Sequence, residues 1–586
     1  MSGICGWIGE RDPAALTAML DAIAYRGDST ATVHPRGAAL GYRFWAGRPG
    51  KSPGLFIDGE HAVACAGTLA PPVPFPAAAL RETLAGGTAA LSDLDGAFAA
   101  AWWDGGGRRL TLVRDPFGVR SLYYVEHGGV LYFASELKQL LAVPELPVRL
   151  DAPALHKYLT FSFVPGEDVP IAGVRRLLPG HVASWKDGRR TVEPYFSLKE
   201  EIDPRLEDRA TAVKHIRSRC RAAVTRRLNG ESEVGLFLSG GVDSSGVALW
   251  LQERGTAVKA YSLDFGPRSV EKEQAALVAR HLQMPLRLVT VGGEDVARVF
   301  WDVVWKLDLP FGDPVTAPQY LLGRAASEDG LAAVFNGEGG DQLFGGWTSK
   351  PMISAEIYAD LFGEDSREEL YLRSYHRFYG REERLYTPEF RAQVGGPGQR
   401  RALLRPYLED PSARTFLNRV RLADIYLKGM QNILPRAERM SNAWGLDVRV
   451  PLFDRALAEA SFRLPPRLKL HGATEKYVLK LVLQKKLPRE IVWRRKFGMS
   501  VPITDWALGP LAPLVDDLLG ADSLRRRGLF QDGYVGQLRR GQNEAAETRR
   551  RRLGERLWTL AMMEAWLRVF VDGRGRAPAR ASGAAA

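Results

Sequence analysis

Cysteine is scarce in this sequence, with three residues among 586. Cys5, Cys65 and Cys220 lie far apart, so they provide neither a disulfide framework nor the spacing of a cysteine metal site. Long apolar runs are also missing: no segment has the roughly 20 residues that cross a bilayer, and the N-terminus lacks a basic region followed by an apolar core. The sequence therefore predicts a soluble cytoplasmic protein with no membrane partner.

Neither sign of charge dominates strongly. The 80 Lys and Arg residues against 68 Asp and Glu residues give a net charge of +12, spread along the chain. Arginine clusters, such as Arg226-Arg227 and Arg549 to Arg552, would attract an acidic or extended peptide, or nucleic acid. Solvated helix faces are the simpler interpretation of these clusters, and nucleic acid is not an expected partner.

One segment joins an apolar strand to a glycine-rich turn. Residues 234 to 238 run into Ser239-Gly240-Gly241-Val242-Asp243-Ser244-Ser245 and then into a helical pattern. Two glycines let successive N–H groups converge on an anion, and the N-terminus of the following helix adds positive dipole. The pattern predicts a phosphate-binding loop, with a plain strand-to-helix turn capped by serines as the structural alternative.

Asp243 stands where Walker-type loops have the lysine that reaches the terminal phosphates. A carboxylate in that place cannot neutralise phosphate by itself. We therefore expect a magnesium ion, held by Asp243 together with phosphate oxygens and water, to supply the positive charge.

A second glycine-rich turn repeats this arrangement. A short apolar run at residues 333 to 335 is followed by Asn336-Gly337-Glu338-Gly339-Gly340-Asp341. Carboxylates on such a turn are poorly placed to be buried and well placed to bind a ligand. An ordinary polar turn is the structural alternative.

Together the two turns resemble those of the asparagine synthetases and of their relatives, the β-lactam synthetases and the lasso-peptide cyclases. The first turn matches the family's Ser-Gly-Gly-x-Asp-Ser fully, whereas Asn336 and Gln342 depart from the second, Ser-Gly-Glu-Gly-x-Asp-Glu. The resemblance implies an ATP site that releases pyrophosphate and forms AMP, with Asp243 and Asp341 as magnesium ligands. The residues that it assigns to nucleotide binding are Leu238, Ser239, Gly240, Gly241, Asp243, Ser244, Ser245, Leu263 and Gly337.

Later stretches also resemble the family. Residues 440 to 454 are similar to the segment before its last core helices, and residues 475 to 480 to its next helix. Within residues 493 to 502, Lys496 falls where the family places a lysine on the acyl-adenylate and its transition state. Lys476 falls where another lysine contacts phosphate. The resemblance makes both lysines catalytic candidates, although by composition alone each would be a solvated surface charge.

The N-terminal part resembles the family's glutaminase domain with its nucleophile replaced. Glutamine-using members begin Met-Cys-Gly-Ile, and loss of Met leaves a cysteine that attacks glutamine; residues 1 to 6 here read Met-Ser-Gly-Ile-Cys-Gly. Ser2 holds the nucleophile's position, and a hydroxyl is far less acidic than a thiol of pKa ~8.5. Residues 25 to 28 match the family's Arg-Gly-Pro-Asp in part, but Ala66-Gly67-Thr68 replaces its Asn-Gly-Glu. The resemblance therefore implies a dismantled glutamine pocket.

The fold class that we predict is α/β plus α+β. Alternating apolar strands with Asp-Gly and Gly-Gly turns predict stacked antiparallel sheets in an Ntn-hydrolase-like, degenerate glutaminase-like domain at residues 1–200. Short strands that alternate with helical patterns predict a parallel-sheet, ATP-pyrophosphatase-type synthetase domain at residues 210–572, mainly helical after about residue 350. Residues 573–586 are predicted to form a disordered tail.

Without ammonia from glutamine, the amine that captures the adenylate must arrive on the substrate. Lasso-peptide cyclases work in this way, because they activate an Asp or Glu side chain that the peptide's own α-amine then attacks. The resemblance implies an ATP- and magnesium-dependent lasso-peptide cyclase, an amide-forming ligase that acts on a linear precursor peptide. A leader peptidase and a leader-peptide-binding protein of the same pathway are further candidate partners.

Three alternatives remain open. An asparagine synthetase that uses glutamine or ammonia shares the whole second domain, but Ser2 and residues 66 to 68 disfavour it. A β-lactam synthetase carries a tyrosine where this chain has Glu338; a carboxylate there can accept a proton from an α-amine or hold its charge, which makes Glu338 a third catalytic candidate. A non-catalytic basic binding protein is disfavoured by the intact carboxylates and by Lys496.

Overall fold

The computed structural model describes residues 2–47, 54–70, 73, 76–86, 88–346, 352–354, 367–396, 398–494, 500–541 and 547–578. Two antiparallel sheets of six strands form the N-terminal unit, in the orders β10-β8-β9-β1-β3-β2 and β12-β11-β7-β6-β5-β4. The elements of this unit are β1 (Ser2–Ile8), α1 (Ala14–Asp21), β2 (Ser29–Val33), β3 (Ala38–Phe44), β4 (Leu55–Asp58), β5 (His61–Leu69), α2 (Pro76–Ala85), β6 (Gly96–Asp104), β7 (Arg109–Arg114), β8 (Tyr123–His127), β9 (Val130–Ala134), α3 (Leu137–Leu141), α4 (Ala152–Phe161), β10 (Arg175–Arg176), β11 (His181–Lys186) and β12 (Arg189–Pro194).

The residue pattern of β5 explains why the two sheets stack. Successive side chains of a strand point to opposite faces. Ala62, Ala64 and Ala66 belong to the core between the two sheets. Val63 and Cys65 point the other way, into a second core covered by α2. A strand that is apolar on both faces becomes an inner layer, with the second sheet on one side and a helix on the other.

The C-terminal unit contains a five-stranded, all-parallel sheet in the order β15-β14-β13-β16-β17. Its strands are β13 (Glu233–Phe237), β14 (Ala257–Asp264), β15 (Leu286–Thr290), β16 (Ala333–Phe335) and β17 (Asp447–Arg449). Val234 and Leu236 are fully buried, as central strands of a sheet covered on both faces require. The predicted order of sandwich, parallel sheet and helical C-terminal region is confirmed.

Helices cover the sheet and make up most of the chain after residue 366. Among the described residues no helix is long and apolar enough to cross a membrane. The α-helices of the C-terminal unit are α5 (Arg209–Leu228), α6 (Val242–Gln252), α7 (Lys272–His281), α8 (Gly293–Leu307), α9 (Thr316–Glu328), α10 (Gly340–Phe344), α11 (Arg367–Ser374), α12 (Glu382–Leu385), α13 (Pro388–Gln393), α14 (Gly398–Ala402), α15 (Arg405–Leu408), α16 (Phe416–Ala423), α17 (Leu434–Asn442), α18 (Arg455–Arg463), α19 (Tyr477–Leu483), α20 (Arg489–Val492), α21 (Ile503–Ala507), α22 (Ala512–Leu519), α23 (Ala521–Arg527), α24 (Asp532–Arg539) and α25 (Glu547–Trp566).

A π-helical stretch, Asp424–Ile433, joins α16 to α17 without a break. Pro435 lies at the start of α17 and has no N–H to donate to the preceding turn. The wider π-helical turns before Pro435 accommodate this missing hydrogen bond.

Residues 573 to 578, here called the C-terminal strap, correct the prediction of a tail that is disordered from residue 573. The Trp305 indole N–H donates to Gly575 O at 2.9 Å. Arg574 donates to the carbonyl oxygens of Val143, Pro144 and Leu146 at 3.1 to 3.3 Å. Composition alone favours disorder, but these hydrogen bonds tie the strap to α8 and to the loop after α3. Residues 579–586 lie outside the described residues.

We expect Arg574→Ala to lower the free energy of unfolding by about 2 kcal/mol, because three carbonyl hydrogen bonds to a charged donor are lost. Thermal denaturation followed by circular dichroism measures the change. Arg576→Ala is the matched control, since it removes an exposed arginine from the same strap. Equal melting temperatures for the two variants would contradict a stabilising role for the strap.

Candidate active site

The first glycine-rich turn connects β13 to α6 and lies against α7. Gly240 has φ +67°, and a Cβ there would come within 2.5 Å of the backbone of Gln274. Only glycine fits this position, since both the backbone conformation and the space exclude a side chain. The turn therefore holds the N-terminus of α6, an 11-residue helix, open toward the neighbouring cavity.

Two serines fix the shape of this turn. The backbone N–H of Ser239 donates to Ser244 Oγ at 3.2 Å, and the two hydroxyl oxygens lie 3.1 Å apart. The N–H of Gly241 donates to Ser239 Oγ at 3.3 Å. Ser245 lies beneath the turn, fully buried, and does not line the cavity. The serines thus preorganise the backbone that would hold phosphate.

The second glycine-rich turn follows β16 and contacts the first. A Cβ on Gly337 would lie 2.4 Å from the N atom of Ser244, and one on Gly340 would lie 2.1 Å from Asp243 Oδ1. Side chains at these positions would push the turns apart. The glycines therefore bring the carboxylates of Asp243 and Asp341 into one site.

Lys476 lies between these two carboxylates. Its ammonium group forms a hydrogen bond to Asp243 and lies 3.1 Å from Asp341 Oδ1. Burial of this side chain, 1% exposed, opposes its charge, but the two carboxylates outweigh that effect and raise the pKa of Lys476. The family resemblance predicts that Lys476 contacts phosphate. In the structure its ammonium group contacts Asp243 and Asp341, the two residues predicted to bind magnesium.

The carboxylates suit a magnesium ion that is shared with a ligand. Asp243 Oδ1 is buried and has no hydrogen-bond partner among the described residues. Within the described part of the chain, no group of three or more His, Cys, Asp or Glu side chains could hold a metal alone. Two carboxylates with one free oxygen fit an ion that takes its remaining ligands from phosphate and water.

The two turns open into a cavity of about 230 Å³. Of the residues predicted from the sequence, Leu238, Ser239, Gly241, Asp243, Ser244, Leu263, Gly337, Glu338, Asp341 and Lys476 line it. Gly240 and Ser245 shape the first turn but do not line the cavity. Lys496 lies within residues 495–499, outside the described residues, and its neighbour Arg494 lines the cavity.

Several residues outside the predicted set line the other walls. Ser262 at the end of β14 and Gln319 on α9 each have a buried oxygen with no hydrogen-bond partner among the described residues. Such oxygens suit the polar edge of a bound base. Glu271, Met440, Ser441, Lys480 and Arg494 also line the cavity. Met440 and Lys480 lie in segments that resemble the family, whereas no local motif marks Gln319 or Glu271.

Glu338 lies on one wall with an arginine behind it. Arg436 Nη2 lies 3.5 Å from Glu338 Oε1, and Nη1 forms a hydrogen bond to Asp313. Arg436 is 5% exposed, while both carboxylates are about one-third exposed. The arginine thus holds the partly accessible carboxylate of Glu338 at the cavity, where it can bind a cationic group of a substrate.

Comparison with known proteins matches both units of the chain. The profile described as asparagine synthase matches residues 215–568, more than half of the chain. The chain belongs to the asparagine synthase family. A second profile, described as a glutamine amidotransferase domain, matches residues 79–196. The sandwich is therefore an Ntn-type amidotransferase fold, and the family consists of ATP-dependent amide-forming ligases.

Individual relatives cover most of the chain. Glutamine-hydrolyzing asparagine synthetase 1 of Bacillus subtilis is 26% identical over 511 residues, which cover 83% of this chain and 79% of that protein. A putative glutamine-hydrolyzing asparagine synthetase of Mycobacterium tuberculosis (strain H37Rv) is 27% identical over 528 residues, with 83% and 78% covered. Amidase chyE of Penicillium rubens is 32% identical over a shorter stretch of 285 residues, 44% of this chain and 41% of that protein.

In this asparagine synthase family member, the residue at the position of the family's glutaminase nucleophile is buried. Ser2 begins β1 and is 3% exposed. Its hydroxyl oxygen accepts a hydrogen bond from the backbone N–H of Gly67 at 3.1 Å. Arg26, from the segment that resembles Arg-Gly-Pro-Asp, pairs with Glu136 and Glu438, and its Nη1 also donates to the backbone carbonyl oxygen of Ser2 at 3.3 Å. Both Ser2 and Arg26 are thus engaged in contacts within the protein.

No thiol near this position replaces the missing nucleophile. Cys5 and Cys65 are buried. Burial raises the pKa of the Cys5 thiol, and it raises the pKa of the Cys65 thiol to about 12. Since the thiolate is the reactive form, neither cysteine is suited to attack glutamine at neutral pH.

Proposed function

We propose that this protein is an ATP-dependent lasso-peptide cyclase, which joins the α-amine of a linear peptide to the side-chain carboxylate of one of its Asp or Glu residues. One observation carries the proposal. The adenylating cavity keeps its glycine-rich turns and carboxylates, whereas Ser2 replaces the glutaminase nucleophile and is buried against Gly67. An adenylate formed in such a protein would take its amine from the substrate itself.

The reaction has two balanced steps. An oxygen of the peptide's side-chain carboxylate attacks the α-phosphorus of ATP, which forms an acyl-adenylate and releases pyrophosphate. The α-amine nitrogen then attacks the acyl carbon, the bond to AMP breaks, and the amine loses a proton. In this scheme the turn of residues 239 to 245 binds the phosphates, and Lys496 stabilises the oxyanion that develops on the acyl carbon.

Asp243 and Asp341 would hold the magnesium ion, which when bound neutralises charge on the phosphates. Lys476 lies within reach of the same position and adds a second positive charge there. Leu263 and Ser262 would face the adenine, since both line the cavity at the end of β14.

Glu338 would receive the amine. Arg436 keeps this carboxylate in place at the cavity wall, and its exposed oxygens can hold the ammonium form and take up a proton as the amine attacks. Asp313 binds the other terminal nitrogen of Arg436 and helps to fix the guanidinium group. This arrangement favours an amine that arrives in its positively charged ammonium form over a neutral one.

The partners of such an enzyme are proposed on the same basis. The substrate is a linear precursor or core peptide, and a leader peptidase and a leader-binding protein would act beside it in the cytoplasm. No membrane or nucleic acid takes part in this proposal. Folding of the peptide before closure would require that it be held in one shape, which costs entropy that binding must offset.

An asparagine synthetase is the second candidate, and the relatives named above support it equally. The two asparagine synthetases among them are described as glutamine-hydrolyzing, and this chain shares most of their length. The buried Ser2 and the replaced residues Ala66 and Thr68 disfavour a glutamine-dependent reaction here. A β-lactam synthetase is disfavoured because Glu338 stands where that group carries a tyrosine.

The decisive experiment is mass spectrometry of linear core peptides, encoded near this gene, after incubation with the purified protein, ATP and magnesium. A parallel reaction contains aspartate with ammonium or with glutamine. We expect loss of one water from a peptide, with AMP and pyrophosphate formed. Asparagine formation would instead establish the second candidate, and Ser2→Ala in the glutamine reaction would then tell whether the hydroxyl attacks glutamine. If neither the peptides nor aspartate are converted, both proposals are contradicted.

A further inference from the structure

Arg120 of the N-terminal unit bridges two elements of the C-terminal unit. It lies between β7 and β8 and is 2% exposed. Its Nη1 donates to Glu438 Oε1 at 3.0 Å, and its Nη2 donates to Asp447 Oδ1 at 2.8 Å. Glu438 lies on α17 and Asp447 begins β17, so one guanidinium group ties this helix to this strand.

Arg26 strengthens the same contact from a different part of the sandwich. Its Nη1 and Nη2 donate to the two oxygens of Glu438 at 2.8 and 3.2 Å. Burial alone would raise the pKa of Glu438, but Arg26, Arg439 and Arg120 outweigh it and lower that pKa to about 2. Glu438 is therefore a permanently charged anchor, held by two arginines of the other unit.

The two anchored elements form walls of the adenylating cavity. Helix α17 presents Ala437, Met440 and Ser441 to the cavity. Strand β17 pairs with β16, and Arg449 O on β17 accepts a hydrogen bond at 3.1 Å from the N–H of Asn336, where the second turn begins. Displacement of α17 or β17 would therefore displace the cavity wall or the carboxylate turn.

We propose that Arg120, supported by Arg26, is a positioning residue for nucleotide binding and adenylation. Every described residue that lines the cavity lies between 237 and 494, so none of the described residues of the N-terminal unit lines it. The N-terminal unit acts instead as a clamp, because Arg120 contacts both Glu438 and Asp447 and so holds α17 and β17 in fixed positions relative to each other. The role is the same for a cyclase and for an asparagine synthetase, because both use the adenylating site.

Lysine cannot replace arginine in this clamp. A guanidinium group presents several donors in a planar fork and reaches two carboxylates at once, whereas an ammonium group is a single point charge. Arg120→Lys keeps the charge and loses the bridge. We expect its ATP dissociation constant to rise about tenfold and its ATP–pyrophosphate exchange rate to fall ~10- to 100-fold, as displacements of about 1 Å do in enzymes.

The test compares Arg120→Lys and Glu438→Gln with the wild type by titration calorimetry with ATP and magnesium, and by exchange rates normalised to the folded fraction. Arg574→Ala is the control, since it removes contacts between the two units that do not reach α17. Weaker ATP binding in the folded bridge variants, with binding unchanged in the control, would support the proposal. Wild-type affinity and exchange per folded molecule in both bridge variants would overturn it.

Two features keep this test decisive. Glu438→Gln preserves size and still accepts hydrogen bonds, so it carries the test if Arg120→Lys does not fold. ATP binding needs no second substrate, so its measurement remains valid if the cyclase function proposed above fails. If activity falls only in proportion to the unfolded fraction, Arg120 is merely structural and the proposal is wrong.

Discussion

Asp243→Asn is expected to reduce ATP–pyrophosphate exchange by roughly three orders of magnitude, the kinetic equivalent of about 4 kcal/mol. The carboxylate contacts Lys476, and its Oδ1 is buried with no hydrogen-bond partner among the described residues, so it can bind a cation. Asparagine keeps the size of the side chain and loses its negative charge. Exchange rates measured over a range of magnesium concentrations should also show a higher magnesium requirement.

Asp329→Asn is the matched control for this variant. Asp329 also pairs with a lysine, Lys259, at 2.6 Å in the same unit, but it does not line the cavity. Its exchange rate should remain within about twofold of the wild type, as for most substitutions away from a site. Equal losses in the two variants would mean that Asp243 acts through stability and not through the nucleotide.

Glu338→Gln is expected to separate the two chemical steps. Pyrophosphate release should stay within a few-fold of the wild type, while amide formation should fall about 100-fold or more, the range typical of a lost proton acceptor. The reason is position: Glu338 lies beside Arg436 on the wall assigned to the amine. Pyrophosphate release and peptide mass, followed in the same reaction, give the ratio of the steps.

A surface glutamate provides the comparison for that experiment. Glu328 at the end of α9 is half exposed and pairs with Arg287, so Glu328→Gln should leave both steps unchanged. Proportional loss of pyrophosphate release and amide formation in Glu338→Gln would contradict a role in amine capture. It would place Glu338 in the first step instead.

Local sequence predicts the two glycine-rich turns well, because the residues that shape each turn are neighbours in the chain. Gly240 and Gly337 occupy positions where only glycine fits, and both belong to motifs that spacing alone identifies. The four strands of the parallel sheet that precede residue 340, β13 to β16, follow from short apolar runs. Strand β17 has only three residues and escapes prediction, since its place in the sheet depends on β16, more than 100 residues earlier.

Contacts between distant residues could not be predicted in this way. Lys476 lies 233 residues from Asp243, and no spacing rule brings the two together. The pairing of Glu338 with Arg436 and the anchoring of Glu438 by Arg26 depend equally on how the chain folds back on itself. The C-terminal strap shows the opposite error, because a composition typical of disorder does not reveal hydrogen-bond partners elsewhere in the chain.

The placement of Lys476 has a consequence for how the protein is made. Two carboxylates brought into one cavity repel each other, and this repulsion would oppose folding if nothing neutralised it. The lysine belongs to the same chain, so one of the two negative charges is offset as the chain folds, whatever the supply of magnesium. An arriving ion meets an assembled site and must compete with a resident cation, so its affinity is set partly by how readily that lysine moves aside.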